Sequence, residues 1–371
     1  MRFDFGEYKT EVFLSREIPG IDKIASDLGF APRMADNAFR GIIVCDENTL
    51  AIAEKIRGPE NLPLCVLKSG EDNKNWKSVE EILSAAQSAS LGRDGVFIGA
   101  GGGVITDMAG FASSIYMRGC RLVLVSTTLL GMVDASVGGK TGFDLFGIKN
   151  LAGSFYPAES VYMPLDCLTS LPEKEWKSGM AELLKTAVLN GDDFLDEAAA
   201  VFREAQCSYA KLLLLKEEKL RTFIERAVRY KGGIVTEDLK ESGLRMLLNL
   251  GHTFGHALEA AAGLGSISHG EAVAWGIARA CELGFALGIT PKERAEKIRD
   301  ALVSFAYDIS CPHPFLPDTD AFFAAMNSDK KKKSGKLTFI VPDEKSARRV
   351  TLESKEEKQI LEKIINGGFA L

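Results

Sequence analysis

Short apolar runs alternate with amphipathic stretches in the first part of the chain. Gly41-Ile-Ile-Val-Cys45 reads as a buried strand with Asp46-Glu-Asn48 at its carboxyl end. Leu64-Cys-Val-Leu67 is a second, leading through Gly70-Glu71 into a helix over about 76–91. Gly95-Val-Phe-Ile-Gly99 is a third, followed by Gly101-Gly-Gly103 and a helix to about residue 116. Leu122-Val-Leu-Val-Ser126 is a fourth and runs into Thr127-Thr128. Strand, turn and helix in succession predict parallel βαβ units, which place ligands at the carboxyl ends of their strands.

From about Leu171 the period changes to that of helices, with amphipathic runs over 178–190, 193–231, 252–262 and 270–288. Pro312 and Pro314 punctuate a later loop, Asp329-Lys-Lys-Lys-Lys333 reads as a solvated turn, and Leu337-Thr-Phe-Ile-Val341 as a strand. No internal repeat is visible. The predicted layout is an α/β nucleotide-binding domain over 1–170 and a mainly α-helical domain over 171–371 that binds metal and substrate, with the active site in the cleft.

Composition narrows the partners. The 371 residues are 46% hydrophobic and 26% charged with a net charge of -6, a balance that favours neither nucleic acid nor a membrane surface. An anionic small molecule stays open, because local cations decide that and net charge does not. The opening MRFDFGEYKTEVF mixes charges through what would be the core of an export signal. The most apolar stretch, 96–117, is interrupted by glycines and Asp107 and is too short to span a bilayer. Seven cysteines without a CxxC pair argue against a disulfide framework or a thiolate zinc site, and predict reduced thiols in the cytoplasm.

Three features carry chemistry. Strand, Gly99-Ala-Gly-Gly-Gly103 and helix would set bare backbone N–H groups and a helix N-terminus against a phosphate pair, although the spacing is not GxGxxG and a tight turn would look the same. Asp107 shifts that balance, since a carboxylate one turn into an apolar helix is costly to bury unless it meets donors or a ligand. In the helical half, Glu182 and Lys185 lie three apart on one face, which by itself is most often a surface ion pair. His252 and His256 lie four apart, and His269 opens another helix. Two histidines and a carboxylate suit a catalytic zinc that keeps one position for substrate. Thr253 removes the HExxH pattern and with it zinc-protease chemistry. Cations also recur on glycine-rich loops, at Tyr116-Met-Arg-Gly119, Val133–Thr141, Gly147–Asn150 and Gly243-Leu-Arg245. Cations held there clamp phosphate and carboxylate, so together they point to a dianionic substrate.

With these residues assembled, the sequence resembles the 3-dehydroquinate synthase family of sugar-phosphate cyclases from about Asp46 to Val341. The motifs are GGGVxxDMAGF at 101–111, YMRG at 116–119, STT at 126–128, VDASVGGKTG at 133–142, KN at 149–150, AExxK at 181–185, KxxIVxxDxKExGLRxxLNLGHTxGHALE over 231–259 and HGEAVA at 269–274. Thr106 departs from that pattern, which commonly has Gly there, and Gly147-Ile-Lys149 looks shortened.

The resemblance implies a dehydroquinate synthase-like fold and a set of roles. NAD would be met by Asp46, Asn48, Glu71, Lys74, Gly102, Gly103, Asp107, Thr127, Thr128 and Lys149. A divalent metal, zinc in the first place and cobalt as the alternative, would be held by Glu182, His252 and His269. Arg118, Lys140 and Asn150 would act on the phosphate, and Glu241 and His256 would handle protons. Asp134, Lys185, Lys231, Arg245, Asn249 and Lys331 would bind the rest of the substrate. Spacing alone pairs His256 with His252 as a ligand; the resemblance moves it to the substrate side. It further implies a homodimer acting on a small phosphorylated sugar acid, 3-deoxy-D-arabino-heptulosonate 7-phosphate, to give 3-dehydroquinate and phosphate. Competing readings are a cyclase for sedoheptulose 7-phosphate or glucose 6-phosphate, an oxidoreductase of the glycerol-dehydrogenase type, and a catalytically silent NAD-binding protein.

Overall fold

The sheet forms where the sequence is most continuously apolar. The computed structural model describes residues 1–30, 39–59, 61–263, 265–316, 318–332 and 337–367, the side chains of 327–332 excepted. The chain divides into two units, Met1–Glu175 with Lys231–Lys240, and Trp176–Tyr230 with Glu241–Leu371. The expected boundary at 170/171 lies five residues before Glu175, and Lys231–Lys240 is a second passage of chain assigned to the first unit.

The first unit runs β1 (Arg2–Phe5), β2 (Tyr8–Ser15), α1 (Ile21–Asp27), β3 (Gly41–Asp46), α2 (Leu50–Arg57), β4 (Leu64–Leu67), α3 (Trp76–Ser88), β5 (Val96–Gly101), α4 (Gly103–Ile115), β6 (Arg121–Ser126), β7 (Lys140–Leu145), β8 (Ile148–Phe155) and β9 (Ser160–Pro164). Its main sheet has seven strands in the order β1-β2-β9-β6-β5-β3-β4. Only β1 runs antiparallel to its neighbour. One face buries Ile43, Cys45, Ile98 and Val123 with Ile24, Ala53 and Ile56 of α1 and α2. On the other, Gly99 lets α4 approach so closely that a Cβ there would lie 2.9 Å from that of Ala109. The chain steps from β3 out to β4 and back across to β5, so the order reverses between β3 and β5. Such a switch point opens a crevice beyond the strand ends, the ordinary place for a nucleotide.

The hairpin β7–β8 and the strands β1, β2 and β9 are additions to the predicted set. Lys140, Lys149 and Asn150, expected on loops, lie on the hairpin's strands. Its glycines serve close approach: a Cβ on Gly142 would stand 2.5 Å from the Ala152 carbonyl oxygen.

The second unit is built on α5 (Glu173–Asn190), α6 (Asp192–Glu204), α7 (Tyr209–Leu215), α8 (Glu217–Glu237), α9 (His252–Ala262), α10 (His269–Ala286), α11 (Lys292–Ser304), α12 (Thr319–Lys332), a two-stranded sheet of β10 (Leu337–Pro342) and β11 (Ala347–Leu352), and α13 (Lys355–Ile365). The first three residues of α5 and the segment of α8 from Lys231 fall in the first unit. The run expected as one helix over 193–231 is three. Gln206 and Cys207 take φ of 57° and 52°, and Ser208 caps a new start by accepting from the Lys211 N–H. The lysine run is not a turn through residue 332 but the end of α12. Lysine is a good helix former, and no Gly or Pro intervenes before Gly335. Among the described residues, no helix is long and apolar enough to cross a membrane.

Candidate functional site

In the first unit the strand ends collect the residues expected to bind a nucleotide. Asp46 closes β3, and its Oδ1 accepts from the N–H groups of Asn48 and Thr49, each at 3.0 Å, and from the Thr49 hydroxyl at 2.9 Å. The turn that presents the exposed Asn48 is therefore held by the carboxylate itself. Gly102 caps α4 and Gly103 begins it, leaving the helix's first N–H groups without helical acceptors. A Cβ on Gly102 would come within 2.9 Å of the Thr128 methyl, so glycine is what lets these two loops meet. The Thr127 N–H donates to the Gly101 carbonyl at 3.0 Å, and the Thr128 hydroxyl accepts from Gly131 N–H at 3.0 Å. Thr106, the departure from the family pattern, is buried in α4 with its hydroxyl donating to the Gly103 carbonyl at 3.1 Å.

Asp107, half-buried, has a cationic partner. The buried Lys74 ammonium donates to Asp107 Oδ2 at 2.7 Å and to Asn150 Oδ1 at 2.6 Å. Burial pulls the Lys74 pKa down, but the carboxylates of Asp107 and Glu71 outweigh it and hold the ammonium above its ordinary pKa. Lys231 is likewise committed: it donates to Asp134 Oδ1 at 2.6 Å and to the Asp134 carbonyl at 2.7 Å. Glu71, Lys149, Lys140 and Arg118 are exposed. Arg118 stands on a bend where it and Met117 take φ of 67° and 51°, backbone conformations that side chains disfavour and that occur where a residue must be presented.

In the second unit the glycines around the histidines bring three helices together. The Gly251 oxygen lies where a Cβ of Gly276 would be, and a Cβ on Gly255 would stand 2.9 Å from the Ala272 carbonyl. Gly270, next to His269, leaves no room for a Cβ against Ser178 of α5. Backbone contact of α9, α10 and α5 carries His252 and His269, each the first residue of its helix, to the Glu182 carboxylate. His252 Nε2 is 3.6 Å and His269 Nε2 3.5 Å from Glu182 Oε1. Glu182 Oε2 pairs with Lys185, and these two side chains are only 1% and 2% exposed, so the expected surface ion pair is a buried one.

The two histidines differ in charge. Burial, then the Lys185 ammonium, holds His252 well below the usual imidazole range. Its Nδ1 lies 3.2 Å from the Leu250 carbonyl, which fixes the neutral tautomer with Nε2 free to face Glu182. Burial acts the same way on His269, but the carboxylates of Glu182 and Glu259 outweigh it and its pKa is pushed up to about 10. Its Nδ1 lies 3.5 Å from Glu259 Oε2.

The ligand atoms of Glu182, His252 and His269 all lie within 4.8 Å of one another. Two imidazoles and one carboxylate at that separation fit a tetrahedral divalent ion with its fourth position left to another group. His256 is exposed, its ring centroid 5.2 Å from that of His252. It belongs to a second group of three donors, with Glu259 and His269. Glu241, at φ 57°, accepts from Asn249 Nδ2 at 2.5 Å, and Arg245 is buried. The Lys331 side chain lies outside the described residues. Glu259 had no expected role, although its spacing was a signal: His252, His256 and Glu259 follow at i, i+4 and i+7 and share one face of α9.

The chain matches two family models, 3-dehydroquinate synthase N-terminal over residues 64–178 and 3-dehydroquinate synthase C-terminal over 179–332. It is 38% identical over 305 residues to a 3-dehydroquinate synthase of Prochlorococcus marinus (strain NATL1A), covering 81% of this chain and 80% of that one. A 3-dehydroquinate synthase of Campylobacter jejuni subsp. jejuni serotype O:23/36 (strain 81-176) is 40% identical over 294 residues, 78% of this chain and 80% of that one. Among solved structures, a 2-epi-5-epi-valiolone synthase from Streptomyces hygroscopicus subsp. jinggangensis 5008 with NAD+ and Zn2+ bound superposes with a TM-score of 0.78 at 26% identity, over 96% of each chain. A 2-deoxy-scyllo-inosose synthase complexed with carbaglucose-6-phosphate, NAD+ and Co2+ shares the fold, with a TM-score of 0.79 at 23% identity over 99% of each chain.

Proposed function

The chain belongs to the 3-dehydroquinate synthase family, and from that footing we propose that it converts 3-deoxy-D-arabino-heptulosonate 7-phosphate to 3-dehydroquinate and phosphate. The observation that carries the reading is the convergence of Glu182, His252 and His269, with Lys185 on the second carboxylate oxygen. When bound, NAD supplies a reversible hydride acceptor for the C5 carbinol and a divalent ion, zinc or cobalt, a Lewis acid for its oxygen.

The chain's own residues then divide the work. Gly102 and Gly103 offer helix N–H groups to the dinucleotide's phosphates, with Asp46, Asn48, Glu71, Thr127, Thr128 and Lys149 around it. Lys74 neutralises Asp107 and orients Asn150. A ketone at C5 acidifies the C6–H, and the C7 phosphate leaves as that proton is lost. Arg118, Lys140 and Asn150 hold the phosphate, whose own oxygen takes the proton, and cations lower the charge that builds on it. Lys231, Arg245, Asn249 and Lys331 bind the carboxylate end, and Asp134 and Lys185 the hydroxyls. Glu241 and the His256 ring nitrogens carry protons for ring opening and the internal aldol closure. No net oxidation occurs.

Retention of Lys231, Arg245 and Asn249 supports an acid over a neutral sugar phosphate. Cytoplasmic location rests on reduced thiols, five of them buried, and the homodimer on family resemblance, which light scattering tests. The decisive experiment follows phosphate release from the heptulosonate phosphate with and without a chelator, while NADH absorbance is recorded. Phosphate release that stops with chelator, without accumulation of NADH, is expected. Turnover of sedoheptulose 7-phosphate alone, or net NADH from a simple polyol, would overturn the reading.

A further inference from the structure

His269 stands between two carboxylates, its Nε2 3.5 Å from Glu182 Oε1 and its Nδ1 3.5 Å from Glu259 Oε2. An imidazole that donates from one nitrogen keeps the other as a lone pair, so the acceptor at Nδ1 decides whether Nε2 can ligate an ion. His252 is set in the same way by the Leu250 carbonyl, a backbone acceptor that no side-chain substitution removes. The acceptor for His269 is instead a charged side chain, and it comes from α9, the helix that begins with the other histidine. Glu259 lies two turns along from His252 and is only 11% exposed, so its carboxylate is shielded from water that would compete for the ring N–H.

We propose that Glu259 is a positioning residue that fixes the tautomer and angle of His269 and thereby sets how tightly Glu182, His252 and His269 hold a divalent ion. The proposal rests on the metal reading above. Glu259 could alternatively join His256 and His269 around a second ion, since their ligand atoms also lie within 4.8 Å. Direct pairing of Glu259 with Nδ1 occupies the nitrogen that faces it, and one ion per chain follows.

The test is equilibrium titration of metal-free protein with Zn2+ and with Co2+ against a competing chelator, for wild type, Glu259→Gln, Glu259→Asp and Glu259→Ala. Wild type is expected to bind one ion, and Glu259→Gln to bind it about 10–100-fold more weakly once each affinity is corrected to its proton-independent value, the usual effect of removing such a partner. Glu259→Asp recovers part of the loss because it keeps the charge, and the Co2+ absorption spectrum changes along the same series. NAD affinity, measured in parallel, stays at the wild-type value in Glu259→Gln and reports that the variant is folded. Equal ion affinity in wild type and Glu259→Gln would overturn the positioning role and leave the metal reading standing. Absence of binding in wild type would instead overturn the metal reading itself. A second ion in wild type that is lost in Glu259→Gln would replace the positioning role with a second site.

Discussion

His269 holds its proton to about pH 10, and an ion at Nε2 can enter only when that proton leaves. His252, already neutral, contributes no such competition near neutral pH. The sign follows: a raised pKa means that acid opposes the ion, so affinity rises with pH and levels off only as pH passes about 10. Chelator competition between pH 6.5 and 8.5 should show affinity rising about tenfold per pH unit, with about one proton released per ion. A flat profile would mean that His269 is neutral before the ion arrives. Lys74 offers a second test at this scale. Lys74→Met leaves Asp107 in a half-buried setting without its cation, which should cost about 1–3 kcal/mol in denaturant unfolding. It should also weaken NAD measurably by calorimetry, whereas unchanged NAD affinity would remove Lys74 from the cofactor set. These residues show what a sequence can and cannot reveal. The residue types pointed to two histidines and a carboxylate, but spacing alone paired His256 with His252, and only the family resemblance singled out Glu182, His252 and His269. The partner of Asp107 was not legible, because Lys74 lies 33 positions away in the chain. Nor could an i, i+3 spacing distinguish a solvated ion pair from Glu182–Lys185, where burial is decided by the helices packed around it.

At the scale of elements, the convergence of the expected metal donors depends on how closely α9 and α10 approach. Gly276→Ala would drive a methyl into the Gly251 carbonyl and to 2.9 Å from the Gly255 nitrogen, and backbone cannot rotate aside as a side chain can. Overpacking of this kind typically costs about 1–3 kcal/mol. Because His252 and His269 begin the two helices forced apart, the variant should lose ion affinity more than NAD affinity. Thermal unfolding and metal titration of the same sample check this, and an unshifted melt with full metal content would contradict it. Glycine also explains which elements were legible. The core strands β3–β6 were visible as apolar runs bounded by turns. The hairpin β7–β8 was not, because its glycines imitate a loop while serving backbone approach, and Asn150 takes φ 51° within β8. The break between α6 and α7 was hidden because Gln206 and Cys207, at φ 57° and 52°, are not residues that announce a left-handed turn.

At the scale of the molecule, the expected ligands divide between the two units. Asp46, Glu71, Lys74, Gly102, Gly103, Asp107 and Thr127 fall in the first, and Glu182, His252 and His269 in the second. Each ligand should therefore protect its own unit from hydrogen exchange. A ligand that binds only the folded state slows exchange through the openings that release it, by about a hundredfold at a hundred times its dissociation constant. NAD alone should slow amides in the segments 41–49, 99–107 and 126–131. Zn2+ alone should slow those in 180–186, 252–259 and 269–273. Lys231–Lys240 gives the sharper reading, because the chain enters and leaves it from the second unit while the segment itself is assigned to the first. If those ten residues fold with the sheet, NAD protects them and Zn2+ leaves them unchanged. Protection by Zn2+ alone would show that α8 opens as one piece with the helical unit, and that Lys231, expected to meet substrate, is governed by the metal rather than by the nucleotide.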